Sequence, residues 1–328
     1  MPRGGILFAT EQRGSRGDIL MILGGHILMI LGLLRDKFPT QWHVYFFPVF
    51  DTLRGGYERI ERAVDKRKFT NGEFIDCLQN LGFRTGAMVM VHSSFSNVKR
   101  RVPNITPEKL IRQMQELLGL EGTLLMPTFS FRGRQSHYVD THTHFDVQRT
   151  PSSVGVLTEV FRKMPGVIRS YHPTHSVAAW GRHAKEILST HHLGSTFGVT
   201  SPFYRLREYD GLVVGLGRRY RYTFTITHVA EELNPRSREI AFDAHPRRMI
   251  IADGHVQIPY EFRVLVPGLP REYERISRDM RKNDILRYVT IKGLPCAVTR
   301  AEPFLRRAME LADENKYILK TPSTAVSY

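Results

Sequence analysis

The chain has 328 residues, of which 41% are hydrophobic and 10% aromatic, so it can bury a large core and a disordered protein is not expected. Lys and Arg outnumber Asp and Glu by 47 to 32, and the net charge of +15 favours an anionic partner such as nucleic acid, an acidic membrane face or a phosphorylated cofactor. Cys77 and Cys296 belong to no paired-cysteine motif, which argues against a disulfide framework and a thiolate metal site.

Residues 1–66 are interpreted as an N-terminal extension of unknown role, ahead of one domain at residues 67–328. The apolar run at residues 19–34 has 16 residues and contains His26, whereas a bilayer span needs roughly 20 apolar residues. The charged residues directly after this run are unlike a signal-peptide cleavage site. We therefore expect neither a membrane helix nor a signal peptide.

Regular helix and strand signals begin at Thr70, which forms a capping box with Glu73 and predicts a helix. The apolar run at residues 87–91 predicts a buried strand that ends in a polar loop. A second helix starts at Pro107, and a second strand follows at residues 122–126. This alternation predicts parallel strands with functional residues in the loops that follow them.

The later part of the chain continues the pattern and then changes it. Asp253-Gly254 is a strong hairpin signal between apolar segments at residues 249–251 and 255–266. We therefore predict an α/β fold with a mixed central β-sheet flanked by helices, and with antiparallel additions in the C-terminal third. The other predicted elements are a helix capped by Ser152 or Ser153 and running to Lys163, strands at 167–168, 176–181 and 211–217, and helices at 227–233 and 301–313.

The densest polar cluster at a predicted strand end is residues 169–176, which contains His172 and His175. An imidazole can act as a general base because its free pKa lies near neutral pH, and Pro173 restricts the backbone beside His172. A histidine that is hydrogen-bonded inside a turn explains the same pattern. Both interpretations stay open for these two residues.

A second candidate set lies in the predicted helix at 227–233. Glu231 follows His228 by three residues, so the two share a helical face. A carboxylate bonded to a histidine orients the ring and stabilises its charged form, while the Thr225 hydroxyl can donate to a carbonyl oxygen that gains charge. A capped, solvated helix start is the alternative interpretation.

Two other classes of function are weighed. His137, His142 and His144 suggest a metal-dependent hydrolase, because histidines two residues apart can share a face and imidazole suits zinc. The basic cluster at residues 218–221 suggests a non-catalytic protein that binds nucleic acid or another anion. Neither pattern is specific, so we expect no metal and no nucleic-acid partner.

Taken in order, these segments resemble the aminoglycoside 3-N-acetyltransferase (antibiotic N-acetyltransferase) family from about residue 68 onward. Each landmark is ordinary alone, whereas their order and spacing together are specific. The landmarks are Val91-His92-Ser93-Ser94, Gly122 to Pro127, Asp146 with Thr150-Pro151-Ser152-Ser153 and Gly155, Arg169-Ser170 with His172-Pro173 and Ser176, Ser201-Pro202, Gly215, and Thr225 with His228 and Glu231.

The resemblance implies an antibiotic N-acetyltransferase-like fold, acetyl-coenzyme A as the donor, and direct transfer to a small-molecule amine without a covalent enzyme intermediate. It implies that His172 is the general base, that Glu231 supports it, and that His228 lies beside them. A cytoplasmic enzyme is expected, and a homodimer is an open alternative for its assembly. Contacts to the coenzyme are expected from Ser93, Ser94, Ser153 and Thr225.

The sequence departs from antibiotic-modifying members of the family near the expected acceptor. Residues 197–200 are Phe-Gly-Val-Thr, where such members often carry an acidic residue before Ser201, and three arginines follow the strand at Gly215. Like charges across a pocket cost several kcal/mol. We therefore expect an amine on a neutral or anionic molecule rather than on a polycationic aminoglycoside.

Overall fold

The computed structural model describes residues 65–217, 224–267, 269 and 273–314. A compact unit begins at Lys68, and all elements named below belong to it. The apolar run at 19–34, nearly all of the predicted extension and the basic cluster at 218–221 lie outside the described residues. Every helix within the described ranges is too short or too polar to cross a membrane.

The described strands form a seven-stranded mixed sheet and a separate three-stranded sheet. The larger sheet has the order β4-β5-β2-β1-β6-β10-β9, in which β2, β1 and β6 are parallel and the outer strands pair antiparallel. The smaller sheet has the order β3-β7-β8. The strands are β1 (Met88–Ser93), β2 (Thr123–Pro127), β3 (His144–Asp146), β4 (Ile168–Arg169), β5 (Val177–Gly181), β6 (Leu212–Leu216), β7 (Arg247–Asp253), β8 (Val256–Phe262), β9 (Leu286–Ile291) and β10 (Leu294–Arg300).

Helices connect these strands and supply the apolar surfaces that pack on the larger sheet. Short 3₁₀ turns lie at His191–Leu193 and Leu206–Tyr209. The described α-helices are α1 (Asn71–Asn80), α2 (Phe95–Arg101), α3 (Pro107–Leu118), α4 (Gln135–Thr141), α5 (Val156–Phe161), α6 (Ala184–Leu188), α7 (Pro202–Arg205), α8 (Thr227–Leu233), α9 (Pro235–Ala241), α10 (Tyr273–Lys282) and α11 (Ala301–Asp313).

Strand β1 shows why its sequence is apolar without interruption. Met88 and Met90 pack into one hydrophobic core, whereas Val89 and Val91 pack into a second core. Because neighbouring residues of a strand point to opposite faces, the two cores lie on the two sides of the sheet. All four side chains are buried, and each contributes about 1.5–3 kcal/mol by leaving water.

The helix starts follow the capping signals of the sequence. Thr70 accepts a hydrogen bond from the Glu73 N–H at 3.3 Å, and the Glu73 carboxylate accepts from the Thr70 N–H at 2.8 Å, which completes the predicted capping box. Thr106 caps α3 by accepting from the Lys109 N–H at 3.2 Å. These caps satisfy backbone donors that helix starts otherwise leave without partners.

The predicted fold class is confirmed, because the central sheet is mixed and flanked by helices. The C-terminal third adds antiparallel strands in two places: the β9–β10 hairpin extends the larger sheet, and the β7–β8 hairpin belongs to the smaller one. The predicted helix start at Ser152 or Ser153 is wrong, since α5 begins at Val156 after Gly155. Gly155 has φ of 142°, a backbone conformation that side chains other than glycine rarely adopt.

Candidate active site

The parallel strands β1, β2 and β6 end at the same edge of the larger sheet, and a cavity of about 530 Å³ opens there. Such an edge is where α/β folds commonly place their ligands. The lining combines strand ends, the loop after β2, the start of α8 and the β9–β10 hairpin. Its residues are Val91, His92, Ser93, Pro127, Phe129, Phe131, Gly133, Val154, Thr158, His175, Gly215, Phe224, Thr225, His228, Leu265, Leu286, Tyr288, Ala297 and Phe304.

The clearest catalytic geometry in this cavity is the pair formed by His228 and Glu231. Nδ1 of His228 lies 2.7 Å from Oε2 of Glu231, one helical turn further along α8. The Glu231 side chain is fully buried, whereas the His228 side chain keeps 16% of its surface exposed. A carboxylate that accepts from Nδ1–H leaves the lone pair of the ring on Nε2. The ring can therefore accept a proton from a molecule in the cavity.

The next carboxylate, Glu232, fixes the segment that packs against His228. It accepts a hydrogen bond from the Phe197 N–H at 2.5 Å, and burial raises the pKa of this carboxyl group. The Phe197 ring lies 5.0 Å from the His228 ring and 4.9 Å from the His175 ring, measured between centroids. Glu232 thus fixes an aromatic side chain that contacts both histidines of the cavity.

His172, the base implied by the resemblance, lies in the core with no exposed surface and does not line the cavity. Its Nδ1 accepts from the backbone N–H of Thr174 and of His175, and its Nε2 lies 3.2 Å from Oγ1 of Thr196. Burial lowers the pKa of this ring well below its usual value. No described hydrogen bond joins His172 to Glu231. The Glu231 carboxylate is bonded to His228.

His175 is the histidine of the polar cluster that reaches the cavity. Its ring lies 4.5 Å from Phe129 and 5.2 Å from Phe131, both of which follow β2 and also line the cavity. Burial is the main reason that the pKa of His175 is lowered well below its usual value, and the nearby His228 lowers it further. The ring is therefore neutral near pH 7.

Arg169, another residue of the same cluster, fastens the loop after β2 to the start of β5. Its guanidinium donates to the Thr128 carbonyl oxygen at 2.6 Å and to the Ser176 hydroxyl at 2.9 Å. Burial lowers the pKa of Arg169 to about 9. The arginine thereby holds the loop that carries Phe129, and it does not line the cavity.

The residues predicted to contact the coenzyme divide into two groups. Ser93 and Thr225 line the cavity. Ser94 and Ser153 are absent from the described lining: Ser94 donates its N–H to the Leu216 carbonyl oxygen at 2.9 Å, and the Ser153 hydroxyl donates to the Ser130 carbonyl oxygen at 3.0 Å. The structure therefore places Ser93, Thr225 and the His228–Glu231 pair at one cavity. His172 is buried in the core outside its lining.

The residues of the alternative metal site do not converge. His142 stacks on Tyr138 at 4.2 Å, and Nδ1 of His144 lies 2.8 Å from the Thr143 hydroxyl. In the described part of the chain, no three His, Cys, Asp or Glu side chains are grouped so that they could hold a metal ion.

The sequence patterns do not single out the aromatic side chains, and they favour His175 less than His172. Phe129 and Phe131 sit two residues apart in the loop after β2, and their rings stack at 6.0 Å. This spacing, directly after a buried strand, was the available signal for a cavity wall. Phe224, whose ring lies 5.4 Å from His92, gave no comparable signal because it depends on a contact between distant segments.

The sequence profile described as aminoglycoside 3-N-acetyltransferase matches residues 90–313. Aminoglycoside N(3)-acetyltransferase III of Pseudomonas aeruginosa is 31% identical over 176 residues, which cover 50% of this chain and 64% of the relative. Aminoglycoside N(3)-acetyltransferase IV of a Salmonella species is 35% identical over 164 residues, which cover 50% of this chain and 59% of the relative.

Among solved structures, AAC-IIIb in a binary complex with CoASH matches with a TM-score of 0.63 at 24% identity, over 78% of this chain and 99% of that chain. This likeness shows the fold. The chain spans 64% and 59% of the two curated relatives, whereas the family profile covers about two thirds of the 328 residues. The chain belongs to the aminoglycoside 3-N-acetyltransferase family.

Proposed function

We propose that this protein transfers an acetyl group from acetyl-coenzyme A to an amine, with His228 as the general base. The observation that carries the proposal is the His228–Glu231 pair, which lies at the shared edge of the three parallel strands. Family membership supports the reaction type, and the solved relative that binds CoASH has the same fold. The proposal assigns to His228 the role that the resemblance implied for His172.

The reaction needs one proton to move twice. As the amine nitrogen attacks the thioester carbonyl carbon, Nε2 of His228 accepts the N–H proton, and Glu231 stabilises the imidazolium through Nδ1–H. The tetrahedral intermediate then collapses, the C–S bond breaks, and the imidazolium returns the proton to the departing thiolate. The products are the amide and free coenzyme A, and His228 is neutral again.

The described lining suits the uncharged arm of the coenzyme. Phe129, Phe131 and Leu286 offer an apolar surface, and Ser93 supplies a hydroxyl at the end of β1. Sites for small molecules are typically apolar with a few polar groups that fix orientation. The net charge of +15 attracts the anionic phosphates of the coenzyme.

The acceptor is the second part of the proposal. The relatives are named for aminoglycosides, which are polycations that need nearby carboxylates. Among the described residues that line the cavity there is no Asp or Glu, and its walls include Phe224 and Tyr288. We therefore favour an amine on a neutral or anionic molecule with an apolar or aromatic body.

Release of CoASH from acetyl-coenzyme A in the presence of an amine panel tests the reaction. His228→Asn should lower kcat by about 10²–10⁴-fold, the usual contribution of general base catalysis, while the dissociation constant for CoASH changes little. His142→Asn is the matched control, because His142 lies outside the cavity lining. An H228N protein that keeps kcat within threefold of the unsubstituted protein would refute the assignment of the base.

The same assay tests the acceptor. Gentamicin-type aminoglycosides should give a lower kcat/KM than aromatic or aliphatic monoamines, because the described lining has no carboxylate to bind several ammonium groups. Faster turnover of aminoglycosides than of any monoamine would overturn this part and leave the base assignment intact.

The cellular location and assembly also belong to the proposal. A cytoplasmic enzyme fits a donor that cells keep in the cytoplasm, and both Cys77 and Cys296 are free thiols. A homodimer stays a prediction.

A further inference from the structure

A second imidazole shares the cavity with His228 and has no role in the proposed reaction. His175 lines the cavity, and none of the described hydrogen bonds engages its Nε2. The ring is held by edge contacts with Phe129, Phe131 and Phe197. A fixed polar atom of a residue that lines a substrate cavity is a candidate contact for the substrate.

A chain of hydrogen bonds favours one of the two neutral tautomers of His175. The Leu265 N–H donates to Oε1 of Gln135 at 2.9 Å, so the amide of Gln135 has a defined orientation. Nε2 of Gln135 then donates to Oγ1 of Thr174 at 2.9 Å. Because Thr174 accepts from Gln135, its own hydroxyl proton is available for Nδ1 of His175, which lies 3.1 Å away. This arrangement favours Nδ1 as the acceptor, with the proton of the neutral ring on Nε2.

The backbone of the same turn is also fixed. Nδ1 of His172 accepts from the N–H groups of Thr174 and His175 at 3.3 and 3.0 Å. The backbone of Thr174 and His175 is therefore held in place without the substrate. The His175 ring itself is held by its contact with Oγ1 of Thr174 and by the three phenylalanine rings. Preorganised donors of this kind stabilise charge that develops in a transition state.

We propose that the Nε2–H group of His175 donates a hydrogen bond to the thioester carbonyl oxygen and stabilises the oxyanion, with Thr174 and Gln135 as positioning residues. The inference rests on the proposed acetyl transfer. An N–H donor needs an oxygen acceptor, and the thioester carbonyl is the group whose oxygen becomes negative as the amine attacks. His175 transfers no proton in this step, so the proton balance described for His228 is unchanged.

Binding measurements test this without any acceptor amine. Acetyl-coenzyme A has the carbonyl oxygen and CoASH lacks it, so loss of the donor should weaken the first ligand and spare the second. Thr174→Val removes the hydroxyl that fixes the ring, and we expect the affinity ratio of acetyl-coenzyme A to CoASH to fall about 3–10-fold by calorimetry. His175→Phe, which has no donor, should lower the ratio at least as much.

Thr174→Ser distinguishes loss of the hydrogen-bond chain from Gln135 through Thr174 to His175 from loss of packing. Serine keeps the hydroxyl and loses a methyl group, whereas valine keeps the volume and loses the hydroxyl. If the hydrogen-bond chain positions the ring, T174S keeps the affinity ratio that T174V loses. If only packing matters, T174V keeps the ratio better than T174S. With an accepted amine, T174V should also lower kcat by about 10–100-fold and leave the KM for the amine within a few-fold.

Nitrogen NMR of histidine-labelled protein reads the tautomer directly, and the Nε2–H form is expected for His175 in the unsubstituted protein. An Nδ1–H tautomer, or a ligand ratio that neither T174V nor H175F changes, would overturn the inference alone. An unsubstituted protein that binds neither acetyl-coenzyme A nor CoASH would overturn the proposed function, and the inference with it.

Discussion

Two consecutive carboxylates on α8 have different partners, because neighbouring residues of a helix point about 100° apart. Glu231 is bonded to the imidazole of His228, and Glu232 to the backbone of Phe197. Both carboxylates are buried, at 0% and 6% exposure. In the proposed function only the first shares a hydrogen bond with the group that gains a proton.

The substitution Glu231→Gln should therefore lower kcat much more than Glu232→Gln. A glutamine keeps the volume at position 231 but has no negative charge to stabilise the His228 imidazolium, and we expect a loss of about 10²–10⁴-fold. Glutamine at position 232 can still accept from the Phe197 N–H, so we expect a loss below about tenfold. Steady-state kinetics with acetyl-coenzyme A measure both variants. Equal losses would refute a separate role for Glu231 in stabilising the imidazolium.

The polar residues of the site were largely predictable, and their roles were not. His172 and His175 lie in one short segment, and the direction of each side chain depends on the backbone of the turn between them. In the structure Nδ1 of His172 accepts two backbone N–H groups of that turn, whereas His175 lines the cavity. His228 with Glu231 was easier to predict, since three residues in a helix define one face.

The β7–β8 hairpin shows how a turn sets strand register. Asp253 pairs with Val256, so Gly254 and His255 are the two central residues of the turn. Gly254 has φ of 59°, and glycine at the first central position is typical of a type II′ turn. Asp253 also accepts from the Tyr171 hydroxyl at 2.5 Å, which ties the hairpin to the segment before His172.

Gly254→Ala should destabilise the protein by about 1 kcal/mol, because an alanine at this positive φ is strained while its Cβ would contact no other atom. Gly72 in α1 provides a matched control, since a Cβ there is equally uncrowded and its φ is not positive. We expect Gly72→Ala to stabilise by about 0.5–1 kcal/mol. Urea unfolding measures both, and a destabilised G72A protein would contradict the argument.

Elements whose signals are local were predicted, whereas the partner of the last hairpin in the larger sheet was not. The capping box at Thr70, the hairpin at Asp253 and the helix α11 follow from neighbouring residues, and all are present. The division of the C-terminal strands between two sheets does not follow from neighbouring residues. The β9–β10 hairpin pairs with β6, about 80 residues earlier, and no local pattern specifies that partner.

The chain keeps a group of neutral imidazoles in its core although its net charge is +15. His172, His175 and His191 are all buried, and His172 stacks on His191 at 4.6 Å between ring centroids. Burial is the first cause of the lowered pKa in each case, and the pKa of His191 falls to about 3. Protonating any of them would place an uncompensated charge in the core.

The stability of the fold should therefore fall as the pH drops below about 6.5. The unfolded chain protonates these histidines near that pH and the folded chain does not, so the unfolded state binds more protons and the free energy of unfolding decreases. Each histidine contributes a slope of up to about 1.4 kcal/mol per pH unit. Glu232 acts in the opposite direction, because burial raises its pKa and the folded state then binds the extra proton. It is one group against three histidines.

Urea unfolding at pH 7.5, 6.0 and 5.0 measures this slope before most carboxylates begin to protonate. His191→Gln and His191→Phe each remove one titrating ring, so both should reduce the slope between pH 6.0 and 5.0 by about 1.2 kcal/mol per pH unit. The two substitutions differ in hydrogen bonding and volume, and their stabilities at pH 7.5 will differ. Because the slope depends only on proton binding, an equal reduction in both variants identifies His191 as the titrating group. A slope unchanged from that of the unsubstituted protein would show that His191 is already charged in the folded state.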